Sequence, residues 1–480
     1  MTGAQTFRPG GMRCAIEEPE GVLADHRGLA GAGFLLPRLA RGSWHFFPNS
    51  FSPRRRGAAA WAMRGQAAHG DVRKAPRMLI CFSHLRWDFV WQRPQHLLTR
   101  FARSLPVYVV EEPESGHTQP GLRVAEQDGV TVVTPLLPGD ANGFGPATNE
   151  QIRALLAPFL APRTAPGSAI LWYLTPMAYG AEPGDLDPAL VVFDAMDELA
   201  NFNGAPRGMR EREQALMSCA DLVFTGGPSL YEARKERHPA VHCFPSGVER
   251  EHFAQAANGI VRPRDLASRP RPILGYYGVI DERMDLGLVD TVAASHPDWT
   301  LAMIGPVAKI SRSDLPQREN IVYYGAQAYA SLPAYLACFD VALLPFARND
   351  ATRFISPTKT LEYLAAGKPV VSTPIADVID LYGDVVRFGA TPEGFAAAID
   401  ALLHEDPRAR EQREAISRAI VAGYDWDTIA SRMAGLMQEA IAQRASVTPA
   451  SRLRRPELTS VDAPGSLHHV DSLGPEQVLA

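Results

Sequence analysis

Short apolar runs separated by helix-length stretches recur along this chain, and they restrict it to one kind of fold. A first set comprises Met78–Phe82, Val107–Val110, Val130–Val133, Ile170–Tyr173, Leu190–Phe193 and Leu222–Thr225. A second comprises Ile273–Tyr277, Thr300–Ile304, Asn320–Tyr324, Val341–Leu344 and Val370–Ser372, several of them closed by Gly or Pro. Strands covered on both faces read as continuous apolar runs, which is the mark of a buried parallel sheet. Helical stretches lie between them, among them Glu150–Leu160, Arg210–Cys219, Leu286–Val292 and Leu332–Cys338. Strands alternating with helices at this spacing predict an α/β, doubly wound parallel sheet. Pro263, Pro270 and Pro272 mark a linker between the sets, so two facing Rossmann-like domains are expected.

The expected divisions are an N-terminal extension to residue 75, a first domain over 76–255, a linker over 256–272 and a second domain over 273–425. A helix over 426–444 and a polar tail over 445–480 complete the chain. The extension is rich in Gly, Ala, Pro and Arg and lacks periodicity, so it reads as disordered. It also reads as an over-called start, with the real one at Met63 or Met78. The Ser/Pro/Gly-rich tail reads as disordered too. The helix near the end puts Ile429, Met433, Leu436, Met437 and Ile441 on one face.

Composition removes several function classes. The net charge is −5, which gives no basis for nucleic-acid binding. Cys14, Cys81, Cys219, Cys243 and Cys338 are scattered, with no C-x-x-C pair, which argues against a zinc site and for a reducing, cytoplasmic setting. No apolar run reaches the ~18–20 residues of a membrane span. No glycine stands between Phe82 and Pro106, so the G-x-G-x-x-G of a dinucleotide-binding first strand is missing.

The stretch Phe354–Pro374, FISPTKTLEYLAAGKPVVSTP, carries the chemistry. Ser356 is expected as N-cap, Pro357 at the first helical position and Gly367 as the left-handed stop. The N–H groups from Ser356 through Thr358 to Lys359 make an anion site, and Lys359 adds a full charge. Glu362, one turn on, offers a carboxylate to a ribose diol. The bland alternative is a capped helix with a surface Lys–Glu pair.

Other candidates lie at strand ends. The loop SHLRWDFVWQRP places His84, Arg86, Trp87, Asp88 and Arg93 after the first strand, where open α/β sheets bind ligands. An indole there can stack on a sugar, and an arginine can meet a phosphate; the alternative is a helix-entry loop. Asp194, Asp197 and Glu198 end another strand, where they suit acid–base work or a capped turn. Arg283 follows the turn at Gly278, as a phosphate ligand or in a surface pair with Glu282 or Asp285. Tyr324 ends a strand at the level where a base stacks. No Asp-x-Asp appears among the acids after the strand at Leu190, so no metal is called for.

LEYLAAGKPVVST resembles the donor-site helix of GT-B glycosyltransferases, most closely family 4. Glu362 falls on the second Glu of that family's E-x7-E motif, and the first falls on Phe354. VHCFPSGVEREHF, Val241–Phe253, resembles the exit from that family's first domain. The Trp-rich loop is similar to a run in bacterial enzymes of cell-surface polysaccharide synthesis. The resemblance implies transfer of a sugar from a nucleotide-diphosphate donor, a UDP-sugar by default, with retention and without metal or cofactor. It places the donor on Arg283, Tyr324, Ser356, Pro357, Thr358, Lys359 and Glu362. Of the catalytic candidates Asp194, Asp197 and His84, it points to Asp194, which falls near where related enzymes carry a His or Asp facing the transferred sugar. It leaves Arg86, Trp87, Asp88 and Arg93 for a glycan or lipid-linked acceptor, and it implies work in the cytoplasm or in peripheral contact with the inner face of the plasma membrane. A last helix crossing back to the first domain, with Trp426 near the crossover, is also implied. In Gly278-Val279, Val279 stands where the family has an arginine. An epimerase of the same fold, or a non-catalytic nucleotide-sugar binder, remains open.

Overall fold

The protein is represented by a computed structural model, which describes residues 76–140 and 143–446. The N-terminal extension and the tail past 446, with the expectations placed on them, lie outside the described residues. Among the described residues, fourteen strands form two sheets. The first holds β1 (Met78–Ser83), β2 (Val107–Glu111), β3 (Gly121–Gln127), β4 (Val130–Leu136), β5 (Ala169–Tyr173), β6 (Leu190–Ala195), β7 (Leu222–Thr225) and β8 (Val241–Cys243). Its order is β3-β4-β2-β1-β5-β6-β7-β8, parallel except for the β3–β4 hairpin. The second holds β9 (Ile273–Tyr277), β10 (Thr300–Ile304), β11 (Ile321–Tyr323), β12 (Val341–Leu344), β13 (Val370–Ser372) and β14 (Val386–Phe388). Its order is β11-β10-β9-β12-β13-β14, the doubly wound order with its switch point between β9 and β12.

The apolar runs become these strands because both faces are covered. In β1, β5 and β9 every residue is buried. Strand β3 was not expected. It runs along the sheet edge with mostly exposed, polar side chains, so it shows no apolar run. The turn Asp128-Gly129, both at positive φ, is the local signal that marks it.

The expected linker is more ordered than a Pro-rich spacer. It contains a helical turn, Arg264–Ala267, whose Leu266 is fully buried beside Phe253 and Ala256. The last helix, Trp426–Ser446, returns to the first sheet. Its Trp426, Ile429, Met433 and Met437 are buried in the same cluster as Leu79, Trp172 and Leu222. Gly247 permits this crossing, since a Cβ there would stand 2.7 Å from the Trp426 ring. Among the described residues, no helix is long and apolar enough to cross a membrane.

Candidate active site

A cleft of about 90 Å³, open to solvent, lies between the two sheets. Its walls come from the C-terminal ends of strands on both sides, where the sheet edges supply loops and helix starts. From the first sheet come Met196 and Asp197 after β6, Gly226 after β7 and Ser246 after β8; Gln92 and Arg93 at a helix start join them. From the second come Arg283, Phe346 and Ile355 to Lys359.

The helix behind Lys359 runs Thr358–Ala365, with Pro357 in the cap position. Ser356 was expected as cap. The fixed φ of Pro357, −66°, is compatible with the turn, but its ψ of 114° is extended, so the helix starts one residue later. Gly367 has φ 71° and ends it as expected. Leu361 and Leu364 are buried in the core of the second domain. The first N–H groups of the helix have no intrahelical acceptor and sit at the cleft. Thr358 also touches the first domain, its Oγ1 donating to Ser246 Oγ at 3.0 Å.

Lys359 lies across Gly278. A Cβ at Gly278 would stand 1.9 Å from Lys359 Cε, so a bare backbone is needed for the lysine to reach the cleft. Burial lowers the Lys359 ammonium from its usual value; Glu362 raises it and Arg283 lowers it further. Arg283 is clamped by Asp281, with Nε at 2.9 Å and Nη2 at 2.6 Å from its oxygens. Asp281 is thus its partner, rather than the Glu282 or Asp285 considered from sequence. Asp197 lines the same cleft. Burial raises its carboxyl, while Arg283, Arg93 and Lys309 lower it. His84 is held neutral, its pKa pushed down to about 4 by burial and by Lys309.

Several expected site residues are used elsewhere. Asp194 is 0% exposed and forms a bidentate pair with Arg93, at 3.1 and 2.9 Å. The third guanidinium nitrogen, Nη1, donates to the Phe244 carbonyl at 2.7 Å. Both Asp194 oxygens are thus held in a buried ion pair, and three of the five Arg93 N–H groups are used within the fold. Trp87 is 5% exposed in the core beneath the first sheet. Its indole donates to Asp128 at 2.9 Å, so its face is not open to a sugar. Arg86 pairs with Glu111 at 3.2 Å and reaches the Pro113 carbonyl, while Asp88 is exposed to solvent. Glu362 is buried and accepts from the Tyr277 hydroxyl at 2.5 Å, behind the cleft rather than on its wall. Burial raises the Glu362 carboxyl, against Lys359 and Tyr277. Tyr324 packs edge-on against Tyr335, 5.7 Å between centroids, away from the cleft lining. Phe354, where the first Glu of E-x7-E would fall, lies under Arg353 at 5.2 Å.

Sequence reading missed Lys309, Phe202, Gly227 and Asp377. Lys309 is read from its φ of 62°, rare for a residue with a side chain. At Gly227 a Cβ would stand 2.0 Å from Asp377 Oδ2 and 2.7 Å from Ser356 Cβ, so glycine lets the domains meet. The Asp377 carboxylate crosses the seam to accept from the Ser229 amide at 3.0 Å.

Two sheets of this order, facing across a cleft built from strand ends, with a final helix crossing back, decide the fold. It is GT-B. Residues 272–405 match the family Glycosyl transferases group 1. TuaH of Bacillus subtilis (strain 168), provisionally named a teichuronic acid biosynthesis glycosyltransferase, is 27% identical over 234 residues. That match takes in 46% of this chain and 57% of the relative's length. Among solved GT-B structures, an α,α-trehalose-phosphate synthase from Burkholderia vietnamiensis superposes with TM-score 0.59 at 15% identity, over 78% of this chain and 99% of that one. Sucrose-phosphate synthase from Thermosynechococcus elongatus gives 0.57 at 16%, over 77% and 100%. An E. coli trehalose-6-phosphate structure bound with UDP-2-fluoro glucose gives 0.57 at 14%, over 75% and 99%. The family match thus lies in the second domain, the named relative is matched over little more than half of its own length, and the solved structures share the fold.

Proposed function

We propose that this protein moves a sugar from a nucleoside-diphosphate donor to a hydroxyl of a glycan or lipid-linked acceptor, with retention and without a metal ion or cofactor. The observation that carries this reading is the group of Lys359, Arg283 and a helix start in one cleft between two sheets. A leaving diphosphate gains negative charge as its bond to the anomeric carbon breaks. Fixed cations and free N–H groups stabilise that charge more than the ground state, which lowers the barrier. The bonding pair goes to the terminal phosphate oxygen. The acceptor oxygen bonds to the same face of the anomeric carbon, and its proton goes to the departing phosphate. Asp197, on the cleft wall near three cations, is the group left to face the sugar, while His84 is neutral and lies off that wall.

Uridine is the base to test first. The relative named for teichuronic acid synthesis favours a cell-surface polysaccharide acceptor. The enzyme then works in the cytoplasm, in peripheral contact with the inner face of the plasma membrane when the acceptor is lipid-linked. The test is to incubate the full-length protein with UDP-, GDP- and ADP-sugars, with and without acceptor fractions. Acceptor-dependent release of nucleoside diphosphate supports transfer. Conversion of the sugar without acceptor indicates an epimerase, and binding without turnover indicates a sensor or scaffold; either result overturns the proposal.

A further inference from the structure

A loop of the first domain reaches the part of the second domain that carries Arg283. Asn201 Nδ2 donates to the Asp350 carbonyl at 3.0 Å. The Asn203 amide faces both oxygens of Glu282, each at 3.3 Å. Between these anchors the Phe202 ring carries two cations of the second domain. Lys309 Nζ stands 4.7 Å from its centroid and the Arg283 guanidinium carbon 5.7 Å. Cations are drawn to an aromatic face by the ring's quadrupole, but two on one ring repel each other. Their own acids, Asp281 for Arg283 and Glu282 for Lys309 at 4.0 Å, share the load. Asp281 takes Nε and Nη2 of Arg283, and among the described residues Nη1 has no hydrogen-bond partner. Lys309 also holds its unusual backbone, with φ 62°, at this contact.

We propose that Phe202 is a positioning residue for the donor. When the cleft closes, the ring fixes Arg283 and Lys309 as a pair, so that both charges meet the phosphoryl oxygens of the nucleoside diphosphate. The loop Leu199 to Gly204 is thus a clasp that couples domain closure to phosphate binding. Lys309 adds a third cation to Arg283 and Lys359. This rests on the donor-binding reading above, and it adds a residue from the opposite domain to the phosphate site.

The test uses the full-length protein with Phe202→Ala, Phe202→Leu and Phe202→Tyr, and Lys359→Ala beside them. Affinity for UDP, GDP and ADP is measured by calorimetry, and donor KM and kcat by turnover. Loss of two cation–ring contacts is expected to weaken nucleotide binding and raise donor KM roughly 5- to 30-fold in Phe202→Ala. Phe202→Leu, which keeps the bulk and loses the quadrupole, should behave like Phe202→Ala. Phe202→Tyr should restore near-normal values. Wild-type affinity in Phe202→Ala alongside lost affinity in Lys359→Ala overturns the clasp and leaves the donor site standing. A Phe202→Leu protein as tight as wild type also overturns it, because bulk alone would then suffice. No nucleotide binding by the wild type overturns both readings.

Discussion

Replacing Asp194 with Asn keeps the shape of the side chain and removes its charge, leaving the Arg93 guanidinium buried without its counter-ion. Arg93 is 2% exposed and Asp194 0%, so water cannot take over the lost contact. Both hydrogen bonds between them, 3.1 and 2.9 Å, are charge-assisted. Breaking one partner of such a buried pair costs ~3–5 kcal/mol, because an uncompensated charge remains in the interior. At ~2–4 °C per kcal/mol for a domain of this size, the melting temperature should fall by roughly 6–20 °C. Circular dichroism on heating, checked by urea unfolding, measures this. The double variant Arg93→Met with Asp194→Asn should recover much of the loss, since the stranded charge is gone. An Asp194→Asn protein that melts like wild type while its turnover falls a thousandfold would show that Asp194 acts on substrate, and the structural account of this pair would be wrong.

Gly227→Ala should prop the domains apart, because its Cβ would stand 2.0 Å from Asp377 Oδ2 and 2.7 Å from Ser356 Cβ. About tenfold weaker nucleotide affinity (~1.4 kcal/mol) with a smaller change in melting temperature is expected, read by calorimetry and heating together. Burial pushes the Asp377 carboxyl up from 3.8 to about 6, against its Ser229 hydrogen bonds. The folded protein therefore holds this proton more tightly than the unfolded chain. Its contribution is full below pH 3.8 and is lost as pH rises through about 6, at a rate of at most ~1.4 kcal/mol for each pH unit crossed between those values. Comparing urea midpoints between pH 4 and 7 for wild type and Asp377→Asn checks this. The variant should gain on the wild type as pH rises, and parallel curves would refute it.

Most strands and the Lys359 helix were legible because burial on both faces leaves continuous apolar runs, and because Gly367 marks a stop that few other residues tolerate. The edge strand β3 was not, since an exposed polar strand has no apolar signature. The cleft lining was legible where a local motif carries it, since Ser356 to Lys359 and Asp197 do lie on its wall. It was misread where tertiary partners decide the role. Arg93 and Asp194 are 101 residues apart, and nothing near either shows that they meet. Trp87 reads locally as a sugar platform, yet its indole bonds to Asp128, 41 residues on. Phe202 and Lys309 carry no motif at all, because their meaning arises only when the two domains face each other.

The central claim is a nucleoside-diphosphate site at Lys359 and Arg283. The most direct measurement is unfolding of the full-length wild type and Lys359→Ala in saturating UDP, GDP or ADP. At about 100 Kd, one nucleotide should stabilise the wild type by ~2.7 kcal/mol and the variant by much less. Equal stabilisation of both proteins, or no stabilisation of the wild type by any of the three, would contradict the account.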